Sequence, residues 1–288
     1  MRVAYLGPAG TFTEEALRAS APPGVEEVPY PTVYETVMAV QDREVDRAVV
    51  PIENSLEGGV AATLDALAGE ADRVRIAAEV VQPIHHCLVA ARELELDQIG
   101  RVVSHPQATA QCGRFLRERL PRAERVSAGS TAEAVRQVRE ADGPWAALGS
   151  RLSAELYGCQ VLAADVEDDP GNTTRFVWLA AAGETEDPPA GGGEAKTSVV
   201  FWGAGDESPG WLVAVLGELA GRDINLTRIE SRPRRVRLGH YMFFADLQGA
   251  ESEPAVGEAL AALSSRVESL RVLGSYPVAR SPDVNREG

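Results

Sequence analysis

The chain has 288 residues, is 44% hydrophobic and carries a formal net charge of −15 at pH 7. That length accommodates two domains with well-buried cores, and the acidic balance argues against nucleic acid, whose phosphates need a basic face. No apolar run is long enough to span a bilayer, which argues against a membrane protein, and Cys87, Cys112 and Cys159 lack zinc spacing, so reduced thiols in a cytoplasmic protein are expected.

Met1-Arg2-Val3-Ala4-Tyr5-Leu6 enters a strand-like stretch at once, without a signal-peptide cleavage pattern. Arg2–Leu6 reads as a short apolar strand. Thr11 with Glu14 forms a capping box that opens a helix burying Phe12, Ala16 and Leu17. Thr32 with Glu35 repeats the device ahead of Val33, Val37 and Val40. Residues 47–52 and Arg101–Ser104 read as further strands, and Ser130 with Glu133 caps a helix carrying Ala134, Val135 and Val138. Such alternation points to an α/β unit with a mostly parallel sheet. Residues 183–195, rich in Gly, Pro and acid, read as a tether.

Beyond the tether the rhythm changes. Residues 197–202 form a strand, and Ser208-Pro209 supplies an N-cap and first-turn proline. Trp211, Leu212, Val215, Leu216 and Leu219 share one helical face, and Gly221 ends the helix. Strands at 224–230 and 240–248, a helix at 254–267 and a strand at 270–276 complete a βαββαβ order, the split-βαβ plan.

Three places share the construction strand, polar loop, helix start: Leu6-Gly7-Pro8-Ala9-Gly10-Thr11, then Pro51-Ile52-Glu53-Asn54-Ser55 before Gly58-Gly59, then Val103-Ser104-His105-Pro106-Gln107. Unpaired N–H groups at helix starts favour anions, and ligands collect at the carboxyl ends of strands. Converging, these loops would hold two carboxylates with little help from lysine. Asn172-Thr173-Thr174-Arg175-Phe176 adds a hydroxyl and a guanidinium, with Arg175 expected to clamp an anion or polarise Thr174. Each segment alone also reads as ordinary turn and cap chemistry, and Thr174-Arg175 as an edge pair. His85-His86-Cys87 reads as a buried strand crossing between subdomains, because successive strand residues face opposite ways and cannot converge on one metal ion. Cys112 reads as a packed thiol. No nucleotide, flavin or pyridoxal motif is present, so no cofactor and no metal are expected.

As a set, Gly7 through Phe12, Pro51 through Ser55 with Gly58 and Val60, Ser104 through Gln107, Asn172 through Phe176, Ile224 through Thr227 and Glu230 through Pro233 resemble monofunctional prephenate dehydratases with a C-terminal ACT regulatory domain, nearly end to end. The resemblance implies conversion of prephenate to phenylpyruvate with loss of CO₂ and water, in phenylalanine biosynthesis. It implies a catalytic half of two α/β subdomains like a type 2 periplasmic binding protein, at 1–182, with 1–79 and 162–182 as the first subdomain and 80–161 as the second. The linker at 183–195, a ferredoxin-like ACT domain at 196–278 and a tail at 279–288 follow. Thr174 is then the central catalytic residue, Arg175 its polarising partner and Glu53 the expected proton source. Thr11, Asn54, Ser55, Ser104, Gln111, Asn172 and Phe176 are expected to bind substrate.

The ACT resemblance implies L-phenylalanine as effector, near Pro209, Gly210, Leu212, Asn225, Leu226, Glu230, Ser231, Arg232 and Pro233, and a homodimer or homotetramer. Trp211 departs from the family's usual small residue, so it either packs on its helix face or reshapes the effector pocket. Arogenate dehydratase is the alternative enzymatic reading, and a non-catalytic anion or amino-acid sensor the alternative of another class.

Overall fold

The computed structural model describes residues 1–184, 194–203 and 208–279; most of the expected linker (185–193) and tail (280–288) lies outside the described residues. The first lobe contains β1 (Arg2–Leu6), α1 (Phe12–Ser20), β2 (Glu26–Tyr30), α2 (Val33–Gln41), β3 (Arg47–Asn54), the two-residue β4 (Gly58–Gly59), α3 (Ala61–Ala68) and β5 (Val74–Pro83). The second contains β6 (Cys87–Ala90), β7 (Arg101–Ser104), α4 (Pro106–Gln111), α5 (Gly113–Arg119), β8 (Glu124–Ser127), α6 (Thr131–Glu140), β9 (Trp145–Gly149), α7 (Arg151–Tyr157) and β10 (Gln160–Ala163). β11 (Thr173–Ala181) then returns to the first lobe. The sheet orders are β2-β1-β3-β11-β5, with β4 beside β3, and β10-β6-β9-β7-β8.

Both sheets are mixed rather than mostly parallel. β1 pairs in parallel with β2 and β3, but β11 comes back from the second lobe and runs antiparallel to β3 and β5. The three expected helix starts are present: the Glu14, Glu35 and Glu133 amides donate to the Thr11, Thr32 and Ser130 hydroxyl oxygens at 3.4, 3.1 and 3.0 Å. Each cap satisfies a backbone donor that the helix leaves free. His85 and His86 lie in a non-strand connection between β5 and β6, so the strand expected there is absent.

The remainder is β12 (Ala195–Trp202), α8 (Trp211–Ala220), β13 (Leu226–Pro233), β14 (Tyr241–Gln248), α9 (Pro254–Ser264) and β15 (Ser269–Pro277), an antiparallel sheet of order β13-β14-β12-β15. α8 begins after Gly210, whose φ of 82° is left-handed, so Pro209 precedes the helix instead of occupying its first turn. α9 stops at Ser264, and β13 extends to Pro233 because it pairs with β14 as far as Tyr241. No helix among the described residues is long and apolar enough to cross a membrane.

Period-two alternation gives this sheet two buried faces. Val199 and Phe201 pack with Val215, Leu219 and Leu263 of the helices, whereas Val200, Phe244, Leu273 and Tyr276 join Leu67, Ile76 and Val177 of the first lobe in one core. β15 lies against β5 so closely that a Cβ on Gly274 would collide with the Ile76 carbonyl oxygen. Burying these apolar side chains together draws the two units toward each other.

Candidate active site

A cleft of about 300 Å³ is lined by residues from both lobes, including Thr11, Phe12, Asn54, Ile84, His86, His105, Gln107, Gln111, Ser130, Thr131, Asn172, Thr174 and Phe176. None of its lining residues is Asp, Glu, Lys or Arg. The starts of α1, α4 and α6 open onto it, so the positive potential available to an anion comes from backbone N–H groups and neutral side chains. The lobes meet beside it: Tyr157 Oη donates to the Ala9 carbonyl at 2.9 Å and Ser150 Oγ to the Gly10 carbonyl at 3.0 Å.

Strand register decides which residues reach this cleft. β11 and β3 pair Thr174 with Asn54 and Arg175 with Glu53. Cross-strand partners share a face and neighbours along a strand alternate. Thr174 and Asn54 therefore face the cleft, and Arg175 and Glu53 face the opposite side. The Asn54 side chain is fixed by its own turn, its Oδ1 accepting from the Leu56 and Glu57 amides at 3.0 and 3.1 Å. Its Nδ2 is thereby turned to donate to Asn172 Oδ1 at 2.8 Å and Thr174 Oγ1 at 2.9 Å, with the Thr173 carbonyl at 3.1 Å. An amide donating into the Thr174 oxygen leaves the hydroxyl proton for the cleft and makes it a better donor.

On the far face Arg175 is 8% exposed. Its guanidinium donates to Glu53 at 2.9 Å, Glu79 at 3.1 Å and Asp246 at 2.7 Å, with Tyr276 Oη at 3.5 Å. Asp246 also accepts from Ser198 Oγ at 2.6 Å, and Lys196 Nζ donates to Glu79 at 2.9 Å. Burial opposes the charge on Arg175, but Asp246, Tyr276, Glu53 and Glu79 outweigh it and push its pKa up. The expectation that Arg175 clamps substrate or polarises Thr174 is thus corrected. It ties the β12–β15 sheet to the strand that carries Thr174, and Asn54 takes over the polarising contact. Glu53, held by Arg175 and 3.7 Å from Arg228, is likewise outside the cleft and not placed to supply a proton.

Two expected substrate ligands are also elsewhere. Ser104 is fully buried and donates to the Leu148 carbonyl at 3.0 Å, tying β7 to β9. Ser55 Oγ accepts from the Thr173 amide at 3.0 Å, closing the turn after β3 onto β11. Thr11, Asn54, Gln111, Asn172, Thr174 and Phe176 do come together at the cleft. His86, weighed in the sequence only as part of a buried crossing between subdomains, also lines it. Burial lowers its pKa, partly offset by its bond to Gln111 and by the Glu167 charge. Cys112 is fully buried among apolar side chains, which pushes its thiol pKa up and leaves it inert. Among the described residues, His85, Asp165 and Glu167 have ligand atoms within 4.8 Å of one another, but Glu167 already accepts from the His85 ring and the His86 amide, both at 2.8 Å.

The expected effector residues divide between two faces. Gly210 and Leu212 line a hollow of about 190 Å³ with Trp211, Tyr241 and Phe243. Trp211 packs its ring against Phe201 and Phe243 and also lines this hollow. Glu230 and Arg232 instead turn toward the first lobe, where Arg232 binds Asp65 at 2.8 Å and Glu230 sits over Gly59. Ser231, the residue between them, is exposed, and Pro233 lines a separate hollow with Asp65 and Trp202. Pro209, Asn225 and Leu226 line neither hollow. The Asn225 carbonyl accepts from the Gln248 amide at 2.9 Å, and Leu226 packs against the core beneath the helices.

Residues 3–184 match the family model for prephenate dehydratase, and residues 197–265 that for the ACT domain. A prephenate dehydratase of Mycobacterium sp. (strain KMS) is 44% identical over 287 residues, covering 96% of this chain and 89% of the relative. The crystal structure of a prephenate dehydratase from Arthrobacter aurescens in complex with L-Phe superposes with a TM-score of 0.86 at 40% identity, covering 96% of this chain and 90% of the other. A structure described as a novel type of quorum-quenching acylase superposes with a TM-score of 0.84 at 32% identity, covering 96% and 98%.

Proposed function

The chain belongs to the prephenate dehydratase family, and we propose that the cleft between its lobes binds prephenate, with Thr174 donating to the departing ring hydroxyl. Its reaction turns the prephenate dianion and one proton into phenylpyruvate, CO₂ and water, the departing hydroxide taking that proton from solvent. Breaking the C–CO₂ bond supplies the electron pair that aromatises the ring as the C–O bond to the ring hydroxyl breaks. Departing hydroxide is the charge to be stabilised, and a preoriented donor at that oxygen is worth most where water is excluded. The contact from Asn54 Nδ2 to Thr174 Oγ1, with Asn54 anchored by two backbone amides, carries this reading. The two substrate carboxylates then rest on Gln111, Asn172 and the helix starts, in a cleft whose lining holds no carboxylate to repel them. An amide on Thr174 also suits donation better than nucleophilic attack, which needs a base there.

L-phenylalanine acts through the ACT domain, in the hollow lined by Gly210, Trp211 and Leu212. Val213, Ile229 and Tyr241, 74%, 46% and 43% exposed, lie on α8, the edge strand β13 and β14; they form the apolar surface through which two ACT domains pair into at least a dimer. The enzyme works in the cytoplasm, in keeping with three free cysteines.

The test is phenylpyruvate formation by wild type, Thr174→Ala and Thr174→Ser, with and without L-phenylalanine, and with arogenate in parallel. Loss of about 10²–10³ in kcat for the alanine variant, partly recovered by serine, is expected. Faster turnover of arogenate than of prephenate would replace the substrate, and near-normal turnover by Thr174→Ala would remove Thr174 from the mechanism.

A further inference from the structure

Hydrogen-bond logic across the cleft fixes the orientation of four side chains in turn. Asn54 Oδ1 accepts from two backbone amides, so its Nδ2 faces Asn172. Asn172 must present Oδ1 to that donor, which leaves its Nδ2 to donate to Gln111 Oε1 at 3.2 Å. The Gln111 oxygen is therefore the atom 3.1 Å from His86 Nε2, and an oxygen there requires a proton on Nε2. His86 is thus the Nε2–H tautomer, 2% exposed, with its ring edge-on to Phe12 at 5.3 Å. With its oxygen held from two sides, Gln111 has its Nε2 buried, without a hydrogen-bond partner, in a residue that lines the cleft. Buried polar atoms of this kind cost free energy unless a ligand satisfies them.

We propose that His86 is a positioning residue for the dehydratase reaction: its Nε2–H holds the Gln111 carbonyl so that the Gln111 amide N–H₂ is aimed at a carboxylate of the substrate. The proposal rests on the reading of the cleft as the prephenate site. It assigns a purpose to a histidine at the crossing between lobes, whose amide donates to Glu167 and whose carbonyl accepts from Val166, so the backbone is pinned and the ring has one direction to face. A bland alternative is that the imidazole only fills space against Phe12, and the two differ in whether the Nε2 proton matters.

His86→Phe keeps a flat ring against Phe12 and removes the donor, while His86→Gln places an amide N–H where Nε2 was. Loss of one positioning bond to a group that binds substrate and transition state alike raises KM for prephenate by about threefold to tenfold and leaves kcat within about twofold. His86→Gln is expected to return KM close to wild type. Unchanged KM in His86→Phe, or equal impairment of both variants, would overturn the proposal. Nitrogen-15 NMR of the four histidines in the full-length wild-type protein tests it without a substitution: an Nε2–H neutral tautomer for His86 is required, and an Nδ1–H tautomer would sink the idea. The assignment of the reaction fails separately, through absent turnover of prephenate by wild type or persistent turnover by Thr174→Ala.

Discussion

Removing the Asp246 carboxylate should destabilise the protein even though the residue lies on the ACT sheet, far in sequence from the cleft strands. In Asp246→Ala, Arg175 loses its shortest ionic contact, 2.7 Å, and the Ser198 hydroxyl loses an acceptor at 2.6 Å, both in a site closed to water. Breaking a buried pair costs about 3–5 kcal/mol because an uncompensated charge is left behind. Glu53 and Glu79 remain on the guanidinium, so the lower end, about 3 kcal/mol, is the expectation. At about 2–4 °C of melting temperature per kcal/mol in chains approaching this size, the loss is about 6–12 °C. Glu26→Ala serves as comparator, since its partner Arg2 is on the surface and such pairs contribute about 0–1 kcal/mol. Thermal melts followed by tryptophan fluorescence would read the difference. Turnover should fall with it, because Arg175 fixes the strand on which Thr174 sits. An Asp246→Ala protein melting within about 2 °C of wild type would refute the argument and leave the cluster with little energetic weight.

Asn54→Asp replaces the donor to Thr174 with an acceptor and places a carboxylate where the substrate brings two more. A fall of about 10²–10³ in kcat, larger than any change in melting temperature would explain, is expected in steady-state assays. The pH dependence of stability follows from His86. Burial lowers its folded pKa below the unfolded value, so its contribution is present above about pH 6.5 and is lost as pH falls through the lower folded value. Glu14 and Glu15, whose pKa values burial raises, pull the other way. The measurable quantity is therefore the melting temperature of wild type minus that of His86→Gln, which should shrink as pH is lowered from 7 toward 5; a constant difference would contradict it.

Local chemistry in the sequence was enough for the helix starts at Thr11, Thr32 and Ser130 and for the change from α/β to βαββαβ across the tether, whereas a common cleft for Thr11, Asn54, Gln111, Asn172 and Thr174 was expected only from the family resemblance. Caps and periodicity are properties of neighbouring residues, and a run of residues carries them whole. The alternation that separates Thr174 from Arg175 is just as local; what a single strand does not reveal is that both of its faces are occupied. Only the packing of the β12–β15 sheet against the first lobe made the far face a buried ionic site, with Asp246 and Tyr276 arriving from 71 and 101 residues away. The one hint was an acid inside an apolar strand, Ala245-Asp246-Leu247. His86 could be read in the sequence only as part of a buried crossing between subdomains, because its contact with Gln111, and that of Gln111 with Asn172, form only when the lobes meet. A hydrogen bond between distant residues is set by where the chain brings its ends, and that is decided by the tertiary fold.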